Sequence, residues 1–255
     1  LTEGVTPTGS QLSITDITAT VAQYGDFVTT TDFLDMTVIE PLKTELAQLL
    51  GDQMGDTIDQ LVRDVIAAGS TVQYASTATT RATVLAGMVL NGDEVREAVS
   101  TLQGNNAKQI TEQINPSDGF NTSPIDSSYV GIISHTSLLK LKKDSDWVPI
   151  QEYAQSDGKL GPFEKGALDE VRFVMSSQAK TFSSTVTVQA TLIFGQEYYG
   201  VTRISGEEVE VITKPLGSAG TADPLNQRST MGWKITFVTS RLQENFCVRV
   251  EHAGS

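Results

Sequence analysis

The spacing of apolar residues divides the chain into a few long elements and many short ones. Over residues 40–68, Leu42, Leu46, Leu49, Leu50, Met54, Ile58, Leu61, Val62, Val65 and Ile66 recur at three- and four-residue steps, which lays one apolar stripe along a helix. Pro41 fits the first turn, where its missing N–H costs no hydrogen bond, and Gly69 fits the left-handed position just past the end. At 1.5 Å per residue this helix is a rod of about 42 Å, nearly as long as a globule of this size is wide. It should act as a spine. Gly51 and Gly55 lie four apart inside it, so either a neighbour approaches closely there or the helix bends mildly. Asp52, Asp56, Asp59 and Asp64 are expected to form its solvated face.

Residues 12–31 are dense in Thr, Val, Ile and aromatics. Leu12 and Ile14 alternate in one phase, and Ile17, Ala19 and Val21 in the other, which predicts an extended segment with a bulge near Thr15 and Asp16. Fully extended, it would reach roughly 65 Å, too long for a compact globule of this length. It must therefore either bend sharply as a sheet edge or project and pack upon another chain.

The middle of the chain alternates helices and strands. A turn at Asn91-Gly92-Asp93 leads into a helix over 94–102 with Val95, Ala98, Val99 and Leu102 on one side, and a second helix is predicted over 136–143. Strands are predicted over 129–133, 170–174, 192–195 and 208–212, with loops at 115–128 and 151–166. Residues 82–90 fit a short helix or a strand. Near the end, the alternation of Met231, Trp233, Ile235 and Phe237, then of Phe246, Val248 and Val250 after a turn at Gln243-Glu244-Asn245, predicts a hairpin with one buried face. The fold class is α+β.

Composition narrows the functional classes. With 39% hydrophobic and 19% charged residues among 255, the chain is too apolar for disorder and too polar for embedding in a membrane. No apolar run approaches the roughly 20 residues that span a bilayer, and residues 1–10 lack the basic start and apolar stretch of a signal peptide. The chain begins at a leucine, so part of the fold is expected to lie outside it. The balance of 18 Lys+Arg against 31 Asp+Glu gives a net charge of -13, which excludes attraction of the whole surface to phosphate or anionic lipid. Lys140, Lys142 and Lys143 form the dense basic group, and their position suits a helix C-terminus. The single cysteine, Cys247, closes no intrachain disulfide and is read as structural, on the strand face shared with Arg249 and Glu251.

Motifs for chemistry are missing. The two histidines, His135 and His252, belong to no ligand motif; the first is read as a turn or edge residue, the second as part of a frayed terminus. There is no Gly-x-Ser-x-Gly elbow, no Gly-x-Gly-x-x-Gly and no Walker loop. Asp144-Ser145-Asp146 is read as a helix-end turn, since the glycine and later ligands of a calcium loop are absent. Adjacent carboxylates such as Asp169-Glu170 and Glu207-Glu208 carry no information on facing geometry. No catalytic, metal or cofactor-binding residue is nominated, and the chain is read as an assembly protein and not an enzyme.

Several segments, in one order along nearly the whole chain, carry a resemblance. They include residues 1–9 (Leu-Thr-Glu-Gly-Val-Thr-Pro-Thr-Gly), 23–28 (Gln-Tyr-Gly-Asp-Phe-Val) and 61–69 within the spine. Further on come Phe194-Gly195, Tyr199-Gly200-Val201, the run from Lys214-Pro215-Leu216 to Asn226-Gln227-Arg228, Trp233-Lys234 and Val248-Arg249-Val250-Glu251. In these the sequence resembles the major capsid proteins of tailed double-stranded DNA bacteriophages.

The resemblance implies the Hong Kong 97-type fold: an extension loop over 1–35, a peripheral domain with the spine helix over 36–80 and 227–255, and an axial domain over 81–226. The N-terminal arm and outgoing strand that such proteins carry ahead of the loop tip are not in this sequence. By the same resemblance the chain is expected in the virion, assembled in the bacterial host cytoplasm as pentamers and hexamers of itself. It would enclose double-stranded DNA loosely and meet decoration, portal or scaffolding proteins, with no membrane and no cofactor. Thr2, Glu3, Pro7 and Thr8 of the tip and Lys214, Pro215, Asp223 and Arg228 of the Gly- and Pro-rich loop are the expected subunit contacts. An extracellular β-rich adhesion or virion decoration module would also present long Thr-rich strands, and an acidic hydrolase with a scattered site is the third class weighed.

Overall fold

The computed structural model describes residues 3, 11, 14–38, 42–114, 125–153, 160–203 and 209–254. A strand, β1 (Ala22–Thr31), leads into a one-turn helix, α1 (Asp32–Thr37), whose N-cap Thr31 accepts a hydrogen bond from the Leu34 amide. The spine follows as α2 (Leu42–Ala67), within the span that the apolar stripe predicts. After β2 (Val72–Tyr74) comes α3 (Gly92–Gly104), where Asn91 and Glu94 form a reciprocal capping box. Next are β3 (Tyr129–Ile133), α4 (His135–Leu141), capped by Ser134, β4 (Trp147–Pro149) and α5 (Ile150–Tyr153). Then β5 (Glu164–Leu168), β6 (Val171–Met175), β7 (Thr181–Ser183) and β8 (Thr187–Phe194) build out one sheet. The chain ends with β9 (Tyr199–Arg203), β10 (Glu210–Lys214), the 14-residue β11 (Arg228–Arg241) and β12 (Cys247–Ala253).

The strands form two sheets. In the smaller, β11 is the centre: β1 pairs antiparallel along its first ten residues on one edge, while β10 and then β9 share the other. One face of this sheet lies on α2, where Leu50, Met54, Ile58 and Leu61 meet Trp233, Ile235, Phe237, Tyr24 and Val28. The larger sheet runs β2-β12-β8-β3-β6-β5-β4, with β7 on the flank of β8. Its main core sets Val95, Ala98, Val99 and Leu102 of α3 and Leu138 and Leu141 of α4 against Tyr129, Phe173, Ile193, Val248 and Val250. The four α3 residues are those that its sequence spacing assigns to the buried side.

The two sheets meet at the C-terminal end of α2. There Ile66 and Ala67 pack with Phe194, Tyr198 and Cys247. The last carbonyls of the helix lack partners within it, and side chains from both sheets supply them. Tyr198 donates to Ile66 O at 2.6 Å, Arg241 to Val65 O at 2.9 Å and Arg249 to Gly69 O at 2.9 Å and to Ala67 O. The chain crosses between sheets twice beside this end, from β8 to β9 and from β11 to β12.

Several expectations need correction. The terminal strands are not a hairpin: β11 belongs to the smaller sheet and β12 to the larger, because the turn at 242–246 switches sheets. Within residues 12–31, only 22–31 form a strand; residues 14–20 are exposed without strand pairing, so no bulge is found at Thr15 and Asp16. Of the two alternatives for Gly51 and Gly55, close approach of a neighbour is not found, since both face open space. His252 is not frayed: it is fully buried, because β12 is an interior strand of its sheet. Residues 82–90 are mostly irregular with one short 3-10 turn, Arg81–Thr83, and Pro41 lies outside the described residues. Asp64 is also not simply solvated, since it binds Lys180 at 2.9 Å and Arg63 at 2.8 Å.

Candidate assembly surface

Buried polar groups are the first place to look for chemistry, and here they are spent on structure. Glu164 and Arg172, both buried, pair at 2.7 Å, and the Tyr153 hydroxyl donates to Glu164 at 2.8 Å, which with burial holds the phenol well above its usual range. Glu251 is enclosed by Arg81 at 2.6 Å and Arg249 at 2.9 Å. The Cys247 thiol is pushed up to about 12 by burial, which keeps it protonated and unreactive, as expected of a structural cysteine. His135 opens α4 and is exposed. Among the described residues no group of three or more His, Cys, Asp or Glu side chains is placed to hold a metal ion. No helix among them is long and apolar enough to cross a membrane.

The molecule also presents exposed apolar side chains, several of them on the smaller sheet and its flanks. Phe27, on the face of β1 turned away from α2, is 66% exposed, and Phe33 and Met36 of α1 are 70% and 75% exposed. Val211 of β10 and Leu225 in the loop ahead of β11 add 67% and 74%. Single exposed apolar residues are ordinary, but several along one sheet and its flanks mark an interaction surface.

Of the expected contact residues, those of the 214–228 segment lie at the ends of strands of this sheet or in the loop between them. Lys214 ends β10 opposite Thr230, Pro215 follows it exposed, and Arg228 begins β11. Lys214 and Pro215 line an apolar cleft of about 300 Å³ with Leu46, Leu216 and Met231. Asp223 is turned inward and buried, and its carboxylate accepts the Arg228 amide at 2.7 Å, so it staples the loop. Glu3 is exposed in a turn, while Thr2, Pro7 and Thr8 lie outside the described residues. Sequence reasoning named neither Phe27 nor α1 as a contact; the available signal was Phe33, Leu34 and Met36 interleaved with Asp32 and Asp35 in a segment too short for a core helix.

No protein-family model and no curated protein sequence matches the chain. Solved structures do. The capsid of Ralstonia phage GP4 superposes with a TM-score of 0.72 at 13% identity, covering 93% of this chain and 74% of that one. The capsid of cyanophage P-SCSP1u gives 0.62 at 14% identity, covering 99% and 82%. The chain has the Hong Kong 97-type capsid fold. The same fold is found outside phages: the holo-SrpI encapsulin complex of Synechococcus elongatus PCC 7942 gives a TM-score of 0.56 at 7% identity, covering 91% and 74%. The capsid fold lends no support to an adhesion or decoration module.

Proposed function

We propose that this chain is the major capsid protein of a tailed bacteriophage, a structural subunit that assembles with copies of itself into the shell around the genome. The observation that carries it is the capsid fold, matched over nearly the whole chain by phage capsid structures and joined to the sequence resemblance described above. The apolar flank formed by Phe27, α1 and the 214–228 loop is the surface that copies would cover. Subunits would gather as pentamers and hexamers in the host cytoplasm, with Thr2, Glu3, Pro7, Thr8, Lys214, Pro215 and Arg228 at contacts and Asp223 shaping the loop.

In this reading residues 1–35 form the extension loop, 36–80 and 227–255 the peripheral domain, and 81–226 the axial domain. Sheet membership argues for moving β9 and β10 to the peripheral side and β12 to the axial side. The net charge of -13 suits a wall that encloses DNA without gripping it. The encapsulin likeness supports a second reading, a protein compartment without a genome.

Electron microscopy of the purified chain tests the first claim: closed shells or five- and six-membered rings are expected, and a monodisperse monomer at high concentration refutes it. Nucleic acid content of shells purified from the native source separates genome container from compartment. Deleting residues 1–9 should abolish shells while circular dichroism stays unchanged; normal shells from the truncated chain would remove the tip from the contact set.

A further inference from the structure

Two clefts flank β4, the strand at one edge of the larger sheet, and they carry opposite charge. The first, of about 540 Å³, is lined by Asp126, Asp146, Asp169 and Glu170 against one cation, Arg96. That guanidinium is shared by Asp146 at 2.5 Å, Asp169 at 2.9 Å and Asp93 at 3.0 Å. Glu170 receives only the neutral amides of Gln103 and Gln109, at 2.8 and 2.6 Å. Negative charge is left over.

The second cleft, of about 580 Å³, is lined by Lys142 and Lys165 between Trp147, Pro149 and Pro162. Its one carboxylate, Glu164, is consumed by Arg172. Lys140 and Lys143 stand near Lys142 in sequence, at and just after the end of α4, and among the described residues none of these four ammonium groups has a carboxylate within 4.0 Å. The register of β5 shifts between Glu164 and Gly166, which makes Lys165 the extra residue of a bulge and lets it stand beside Pro149. In a protein of net charge -13, a cluster of unpaired lysines is a local reversal of sign that solubility does not require.

The clefts share no lining residue. Val148 and its partner Ala167 wall the acidic one, and Trp147 and Pro149, each one residue away along β4, wall the basic one. The clefts are thus separate, one beside Val148 and the other beside Trp147 and Pro149. Two separate, unlike patches on one subunit are what a head-to-tail contact between identical copies needs, and such contacts close into rings when the rotation permits. Resting on the shell reading above, we propose that the acidic cleft of one copy takes the basic cleft of the next, so that the β4 edges join subunits within a ring by charge matching. Complementary charge of this kind sets register and speeds encounter between otherwise repelling acidic copies.

Charge reversal in the full chain tests it, with assembly followed by sedimentation and folding by circular dichroism. Lys142→Glu with Lys165→Glu, or Asp126→Lys with Glu170→Lys, should each raise the subunit concentration needed for assembly by about tenfold or more at low salt. The four changes together should bring it back to within about threefold of the unaltered chain, because the matched signs are restored in reverse. Lys142→Glu and Asp126→Lys alone, both at exposed positions, give the same comparison if a double variant misfolds. The inference is overturned if the combined variant assembles no better than either parent. It is also overturned if the lysine variants assemble normally and lose only bound nucleic acid, or if chelation of divalent cations in the unaltered chain reproduces the acidic-cleft defect. An unaltered chain that stays monomeric at every concentration overturns the shell reading and this contact together; shells indifferent to all the reversals overturn the contact alone.

Discussion

The imidazole of His252 is fully buried, with Nε2 2.9 Å from the Thr191 hydroxyl and Nδ1 3.0 Å from the Ala253 carbonyl. A carbonyl only accepts, so Nδ1 carries the proton and Nε2 accepts from Thr191. The neutral ring is thus satisfied on both sides. Burial lowers its pKa from 6.5 to about 4, and the hydrogen bond to Ala253 opposes that shift only in part. The nearest carboxylate in sequence, Glu251, is held by Arg81 and Arg249 and offers no counter-charge.

The unfolded chain therefore takes up a proton near pH 6.5, while the folded one refuses it until about pH 4. Between these values the unfolded state binds more protons, so stability is full above pH 6.5 and falls as the pH drops towards 4. A gap of this size corresponds to about 3 kcal/mol, a large share of the stability of a typical domain. Replacing His252 with Gln removes the titration and leaves a carbonyl oxygen able to accept from Thr191. Urea unfolding at pH 7.5 and pH 4.5 should show the unaltered protein losing about 3 kcal/mol more than the variant across that interval. Carboxylates titrate alike in both proteins and cancel in the comparison. Equal losses in the two would refute the reasoning, whatever the stability of the variant at neutral pH.

Two further outcomes follow from packing. Glu164→Gln strands the buried Arg172 guanidinium beside a neutral amide and should cost about 3–5 kcal/mol in urea unfolding; a loss under 1 kcal/mol would mean that water reaches the pair. Gly25→Ala places a methyl group 2.6 Å from the Trp233 carbonyl oxygen, so β1 and β11 must part locally, at about 1–3 kcal/mol. Thermal unfolding should show a lower midpoint, and an unchanged one would refute the close approach.

Local patterns made the helices and interior strands legible. The stripe of α2, the capped start of α3 and the apolar run of β3 each depend on near neighbours in sequence, and each appears where the pattern puts it. What could not be read was which sheet a strand joins. The alternation in β11 and β12 is consistent with a hairpin, and only the tertiary crossing beside Tyr198 separates them. His252 was misread for the same reason: nearness to a chain end says nothing of a strand's place within its sheet. The loop ahead of β11 was visible from its glycines and prolines, but the inward turn of Asp223 depends on the Arg228 amide lying within reach. Lys165 owes its cleft to a bulge of one residue, which no periodicity announces.

The tethered end of α2 has a mechanical meaning. Carbonyls of Val65, Ile66, Ala67 and Gly69 are gripped by Arg241, Tyr198 and Arg249, side chains rooted in both sheets. Leu50, Met54, Ile58 and Leu61 already seat the middle of the helix on the smaller sheet, so the clamp at its tip ties helix and both sheets into one body. A push on the helix then becomes a torque shared by two sheets rather than a swivel about a linker, and the angle between the sheets is passed on as a rigid unit.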